Sequence, residues 1–394
     1  MRRVRVAFLA GLTAAVLGVP ASAHAQNDLG ALNDEFEDAA TLADWTQRYV
    51  VEQWPADQLE LWDIDATQPG RMVMMPFTVT WYQNYEGPLV FKSVTGDFAI
   101  TTEVHARNRA GTGAPSCDFS LAGIMVRRPR ADVASTWTPG HENYVFLSVG
   151  RGTTPGWSYE TKTTVNSAST LILSPAPGGD VTLQTARIGS VVINLRREPG
   201  GPWVVHRRYA HPNLAPTLQA GLVTYTDWPN VAVVDPYTHN STVLDVNPDL
   251  VAGFEYARFF RVTVPPELAG LDLADPAQVS DGQLLAFLGD HADDPVAVDE
   301  TPGAALTIAA TPNPSWSRQN LRFALPVAGR VRLSIVDVGG RRVADLGVSE
   351  RAPGRHEIAW NGRDDRGAPV PPGLYLAVLE TPAGRAITRL CRLD

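Results

Sequence analysis

The chain has 394 residues, of which 44% are hydrophobic, and carries a formal charge of -9 from 33 Lys+Arg against 42 Asp+Glu. That length and apolar content exclude a disordered chain and allow two or three domains with ample core. The acidic balance lacks the basic footprint of a nucleic-acid partner.

Residues 1–25 read as a secretory signal. Arg2, Arg3 and Arg5 start it, Val6 to Val19 form its apolar segment, and Ala21-Ser22-Ala23 and Ala23-His24-Ala25 offer small-x-small cleavage sites. The apolar run is short for a membrane span, and no later run of 18 apolar residues follows. The expected product is therefore secreted, extracellular or at the outer surface of a Gram-negative-type bacterium, with no transmembrane segment. Only Cys117 and Cys391 are present, in what read as different domains. They are either two free thiols or an inter-domain disulfide.

From residue 27 to 265 the pattern is all-β. In the stretch from Gly96 to Ala106, Phe98, Ile100, Val104 and Ala106 share one face, and Asp97, Thr101, Glu103 and His105 the other. That alternation marks a strand with one buried and one wet face. In Leu121–Val126 both faces are apolar, which predicts a central strand covered on both sides. Further strands are expected near Leu59, Arg71, Leu89, Asn143, Trp157, Val191, Trp203, Gln219 and Tyr256. Glu198-Pro199-Gly200-Gly201-Pro202 gives a hairpin signal before Trp203.

Residues 266–303 read as a linker with one short helix. Ser280 and Gln283 form a capping box, Leu284, Leu285, Phe287 and Leu288 supply the apolar stripe, and Gly289 stops it. Asp290, Asp293 and Asp294 continue as an acidic connector. Residues 304–394 read as a second β domain, with alternation at Leu321/Phe323/Leu325 and Val331/Leu333/Ile335 and a tight turn at Asn361-Gly362.

Two resemblances attach to these patterns. Glu35-Phe36 with Trp45, Gly87-Pro88-Leu89, Thr95-Gly96-Asp97-Phe98, Ala122-Gly123-Ile124-Met125-Val126-Arg127, Thr161-Lys162-Thr163-Thr164, Trp203 and Ala220-Gly221-Leu222 recur in an order that resembles the concanavalin A-like jelly-roll sandwich appended to bacterial β-xylosidases. The second rests on Asn313-Pro314, Phe323-Ala324-Leu325-Pro326, Val331 to Arg341, and His356 to Asp364 with Gly367, Val370, Gly373 and Tyr375. It resembles the Ig-like domain of the flagellar hook-capping protein, used as a type A sorting domain in type IX secretion. The ending Leu390-Cys391-Arg392-Leu393-Asp394 departs from a lysine-rich tail, which leaves open whether the domain is cleaved or retained. The type IX machinery is the partner this implies. The fold class expected is thus a concanavalin A-like sandwich plus an Ig-like β-sandwich.

For catalysis a glycosidase needs two carboxylates at a set separation. Glu142 and Glu160 lie near aromatics and are the weak candidates; solvated carboxylates are the plainer reading. No Gly-x-Ser-x-Gly elbow and no His-Glu-x-x-His pair is present. Sugar binding needs an aromatic platform with polar neighbours. Trp81, Tyr82, Trp157, Tyr159 and Trp228, with Asp227 beside them, are the candidates, against the alternative that most of these rings pack inside. The lectin-like resemblance implies calcium as an optional cofactor, with Asp34, Glu35 and Glu37 as oxygen ligands. The expected function is a non-catalytic, carbohydrate-binding surface protein whose partner is a polysaccharide or glycan. A glycoside hydrolase or lyase, or a structural or adhesive protein without a small ligand, stands as the alternative.

Overall fold

A computed structural model describes residues 28–289 and, in the C-terminal part, 306–311, 313, 315, 319–325, 327–351 and 354–393. The signal segment and the acidic connector lie outside the described residues. No described helix is long and apolar enough to cross a membrane.

The large unit is two antiparallel sheets. In chain order its strands are β1 (Thr46–Gln47), β2 (Leu59–Ile64), β3 (Met72–Pro76), β4 (Leu89–Thr95), β5 (Phe98–Arg107), β6 (Ser120–Arg127), β7 (Tyr144–Arg151), β8 (Ser158–Val165) and β9 (Ala168–Pro175). Then come β10 (Asp180–Ile188), β11 (Val191–Arg197), β12 (Trp203–Ala210), β13 (Thr217–Tyr225), β14 (Val251–Phe254) and β15 (Arg258–Phe260). One sheet has seven strands, in the order β1-β4-β13-β6-β7-β8-β9. The other runs β12-β11-β10-β5-β14-β3-β2, with β15 also pairing β5.

Period-two alternation sets what each face holds. Phe98, Ile100 and Val104 of β5 meet Ala122, Ile124 and Val126 of β6 in the core between the sheets. As the sequence predicts, β6 is interior to its sheet and buried along its whole length. Its other face, with Leu121 and Met125, packs with Trp81, Tyr144, Phe146 and Tyr225 in a separate cluster on the outer side of the seven-stranded sheet. Gly123 lets β6 and β7 approach, since a Cβ there would lie 2.0 Å from the Leu147 carbonyl oxygen.

The outer face of the eight-stranded sheet divides in two. Its apolar half, including Ala186, Ile193, Leu195 and Phe260, is covered by Leu268, Val279, Leu284 and Leu288. The covering helix, Asp281–Leu288, has the capping box on Ser280 and Gln283. The stretch up to residue 288, expected as a linker, is therefore part of the sandwich: its leucines cover a strip of sheet that would otherwise be wet and apolar. The polar half carries Glu103, His105 and Asp180.

The C-terminal unit packs a three-stranded sheet, Thr307–Thr311, Gln319–Leu325 and Gly354–Trp360, with a four-stranded one made of Gly329–Asp337, Arg342–Arg351, Gly373–Thr381 and Gly384–Arg392. The alternating residues Leu321, Phe323, Leu325, Leu333 and Ile335 fill its core around Trp360 and Tyr375. Cys117 and Cys391 are both free thiols; Cys117 is buried, with Sγ 2.8 Å from the Asn247 carbonyl oxygen.

Candidate functional site

The outer face of the seven-stranded sheet is where the predicted aromatics gather. Three segments lie over it: residues 77–88, a short helix α1 (Arg48–Val51), and the pair α2 (Trp228–Val231) and α3 (Pro236–Ser241). What they enclose is largely a buried ionic knot. Arg127 grips Glu142 in a bidentate pair at 2.7 and 2.8 Å, bonds Glu52, and donates to Gln219 at 2.8 Å. Arg48 reaches Glu86 at 2.9 Å and Glu52 at 3.0 Å. Arg130 reaches Glu142 at 3.0 Å and holds Asp132.

Three guanidiniums thus face four carboxyl groups. Burial alone would raise Glu52, but Arg127 and Arg48 outweigh it and hold its pKa at about 2. Glu86 goes the other way: burial, then repulsion from Glu142 and Glu52, push it well above the ordinary range. Both Glu86 oxygens accept hydrogen bonds, one from Arg48 at 2.9 Å and the other from Trp137 Nε1 at 2.6 Å, as a desolvated cluster requires.

This knot explains two departures from expectation. Trp81 is fully buried, with Arg127 and Arg48 at 5.4 and 5.7 Å over its ring, so it is the floor of the ionic knot and not a sugar platform. Glu142 and Glu160 are not a catalytic pair. Glu160 sits opposite Ser148, six residues along from Glu142, or about 20 Å at strand spacing. A glycosidase pair needs roughly 5 to 9.5 Å. Each is also buried against cations: Glu142 on Arg127, Glu160 on Lys162 at 2.9 Å with a bond from the Tyr225 hydroxyl at 3.0 Å.

Beside the knot lies a cleft of about 160 Å³ lined by Thr80, Tyr82, Phe119, Lys162, Leu171 and Trp228. Tyr82 and Trp228 meet edge to face at 5.4 Å, both partly exposed. Tyr85 continues the chain of rings, 5.7 Å from Trp228 and 5.3 Å from His239. His239 is fully buried; its Nδ1 bonds Asn240 Oδ1 at 2.8 Å and its Nε2 accepts the Thr80 amide at 3.3 Å. Lys162 projects from β8 under Tyr82, with Nζ 5.3 Å from that ring and a bond to the Trp81 carbonyl. Burial lowers its pKa while Glu160 opposes the shift. Three residues at the cleft, Gln83, Phe119 and Asp227, hold left-handed backbone with φ of 53, 54 and 68°. Such conformations cost about 1–3 kcal/mol each and collect at ligand-binding loops.

The other predicted residues lie elsewhere or act differently. Asp227 is buried and accepts from Thr78 and Asn230 at 2.8 to 3.0 Å, so it anchors α2 instead of facing a ligand. Tyr159 points into the core between the sheets; burial pushes its pKa up to about 12, and Arg196 stacks on it at 4.7 Å. Trp157 is half-buried against Gly179 and under Arg107 at 5.7 Å, away from Tyr82. The proposed calcium ligands are committed to donors. Asp34 accepts from the Phe36 amide at 2.9 Å and Trp45 Nε1 at 2.8 Å, Glu35 pairs twice with Arg258 at 2.9 Å, and Glu37 faces Arg322 at 3.3 Å. These oxygens do not converge on one point, and two of the three carboxylates carry guanidinium partners.

Sequence reasoning missed Lys162, Arg127 and His239. Only two lysines occur in the chain, Lys92 and Lys162, and both are buried. An Arg-rich sequence with a lysine inside an alternating strand was the available signal.

Comparison with known proteins gives one family match: the FlgD Ig-like domain, over residues 318–384. No curated protein matches the chain. Among solved structures, a functionally unknown protein from Saccharomyces cerevisiae is 13% identical, with 56% of this chain and 97% of that chain covered and a TM-score of 0.39. The GH43 BlXynB protein from Bacillus licheniformis is 12% identical, with 58% of this chain and 39% of that chain covered and a TM-score of 0.37. Xylan beta-1,4-xylosidase from Bacillus halodurans is 15% identical, with 58% and 39% covered and a TM-score of 0.36. This chain therefore spans about two fifths of the length of those two bacterial proteins.

Proposed function

We propose that this is a secreted, non-catalytic carbohydrate-binding protein, whose large sandwich takes one sugar ring at the Tyr82–Trp228 cleft. The C-terminal Ig-like domain serves as its sorting or attachment module, with the type IX machinery as its partner. The observation that carries the binding reading is the cleft itself. Two partly exposed aromatic rings meet there edge to face, the kind of apolar platform on which a sugar ring stacks. Its volume is about 160 Å³. The carboxylates nearest this face, Glu142 and Glu160, are held by Arg127 and Lys162 and are not set for acid–base work.

The test uses the full secreted chain and its Trp228→Ala and Tyr82→Ala variants, passed over immobilised plant, algal and bacterial polysaccharides while new reducing ends are assayed. Retention that falls about tenfold or more in both variants, with no sugar released, is the expected result. Release of reducing ends overturns the non-catalytic reading. Absence of retention on every glycan favours a second reading, a structural or adhesive role. One observation supports that role: the ionic knot and rings from Trp81 to Tyr225 fill most of the face where a long glycan would otherwise lie.

A further inference from the structure

The polar half of the eight-stranded sheet holds a second cluster, on the side of the sandwich opposite the cleft. Glu103 and His105 stand two apart on β5 and so share its outer face. Glu255 follows β14, and its amide donates to the Glu103 carbonyl at 3.1 Å, which fixes it over the same spot. One donor atom from each of the three side chains lies within 4.8 Å of the others. His105 Nε2 is 3.2 Å from Glu255 Oε1 and 3.8 Å from Glu103 Oε1. A tetrahedral site with bonds of about 2.1 Å has donors about 3.4 Å apart, so the cluster is near that geometry.

The imidazole is oriented as metal-ligating histidines are. Its Nδ1 bonds Asp180 Oδ1 at 2.8 Å, and Asp180 is itself clamped by Arg107 Nη2 at 2.7 Å. That carboxylate–histidine arrangement holds the proton on Nδ1 when the ring is neutral, which turns Nε2 toward the two glutamates as a metal-ligating nitrogen. Yet Nε2 is buried, has no hydrogen bond of good geometry, and faces two carboxylates. A buried ring nitrogen between two carboxylates is a donor set that a cation would bridge. Gly253, paired with His105, makes room for the neighbouring side chains: a Cβ there would sit 3.0 Å from Gln68 Oε1 and 3.2 Å from Arg71 Cδ.

We propose that Glu103, His105 and Glu255 form a binding site for a zinc-class divalent cation, with Asp180 as the positioning residue. Three donors that include an imidazole suit Zn²⁺, with water at the fourth position. Calcium prefers six to eight oxygens. Three guanidiniums border the site. Arg71 contacts Glu255 Oε1 at 3.0 Å and already has a second partner in Gln68 at 3.2 Å, so it can yield that oxygen. Arg322 is 3.9 Å from Glu255 Oε2, and Arg107 is held on Asp180.

The experiment titrates the chelator-stripped full chain with Zn²⁺ by calorimetry and with Co²⁺ by visible absorption. One equivalent of Zn²⁺, a tetrahedral-type Co²⁺ band, loss of both in His105→Ala and about 10–100-fold weaker binding in Asp180→Asn are expected. Glu103→Gln, on a partly exposed side chain, replaces His105→Ala if that variant does not fold by circular dichroism. No binding by the folded native chain means that a proton alone fills the place between the carboxylates, and the proposal fails. It fails equally if the histidine variant binds as tightly as the native chain, or if Ca²⁺ displaces Co²⁺ at equal concentration.

Discussion

Acid should loosen the large sandwich through His239, and the size of the effect follows from its two hydrogen bonds. Nδ1–H donates to Asn240 and Nε2 accepts from Thr80, so the ring must be neutral to make both. Burial, with Arg48 adding to it, holds the pKa at about 4. An unfolded histidine titrates near 6.5. A depressed histidine pKa means that the unfolded chain takes up the proton first. Stability from this group is therefore complete above pH 6.5 and is lost as pH falls toward 4. The gap of about 2.5 units at about 1.36 kcal/mol each gives a total near 3.4 kcal/mol, of which about 2 kcal/mol is gone by pH 5. The assay is urea unfolding of the native chain and of His239→Gln from pH 7.5 to 4.5, followed by tryptophan fluorescence. His206, also held at about 4, titrates in both proteins and drops out of the difference. The variant should lose about 2 kcal/mol less than the native chain between pH 7.5 and 5. Parallel pH profiles would refute the assignment of the neutral tautomer. The cleft should feel the same event, since His239 supports Tyr85, which supports Trp228.

Arg127→Met should cost about 3–5 kcal/mol in urea unfolding, because it leaves Glu142 and Glu52 buried without their main cation; an effect under 1 kcal/mol would show that the knot is not desolvated. Gly123→Ala should cost at least about 3 kcal/mol or prevent folding, because its Cβ would overlap the Leu147 carbonyl on the neighbouring strand; thermal melting checks this, and a native-like transition would refute the close approach of β6 and β7.

The strands were legible because alternation is a local property. Phe98, Ile100 and Val104 on one side, and Thr101, Glu103 and His105 on the other, are sorted by position along β5 alone. The helix over Asp281–Leu288 was legible for the same reason, since Ser280 and Gln283 cap it within one turn. Which rings are exposed was not legible. Trp81 and Trp228 both sit among polar or turn residues, yet one lies beneath two guanidiniums and the other lines a cleft. The difference is set by partners far away in sequence, such as Arg127 and Glu52, which are 75 positions apart. The pair Glu142 and Glu160 failed for a related reason: proximity to aromatics in the sequence says nothing about register, and Glu142 precedes β7 whereas Glu160 of β8 lies opposite Ser148, six residues further along. Glu103 and His105 were visible as a wet pair, but Glu255 joins them only through the pairing of β14 with β5.

The burial of both lysines gives this protein an unusual chemical handle. Lys92 donates to the Leu32 carbonyl at 2.9 Å, and Lys162 lies beneath Tyr82. The folded surface is studded with guanidiniums and offers no lysine amine among the described residues. An acylating reagent at neutral pH is therefore directed to the chain terminus, which makes single-point immobilisation or dye attachment straightforward. Any lysine acylation that does appear reports an opening event: at Lys92, release of the Leu32 segment, and at Lys162, lifting of the loops that roof the aromatic cleft.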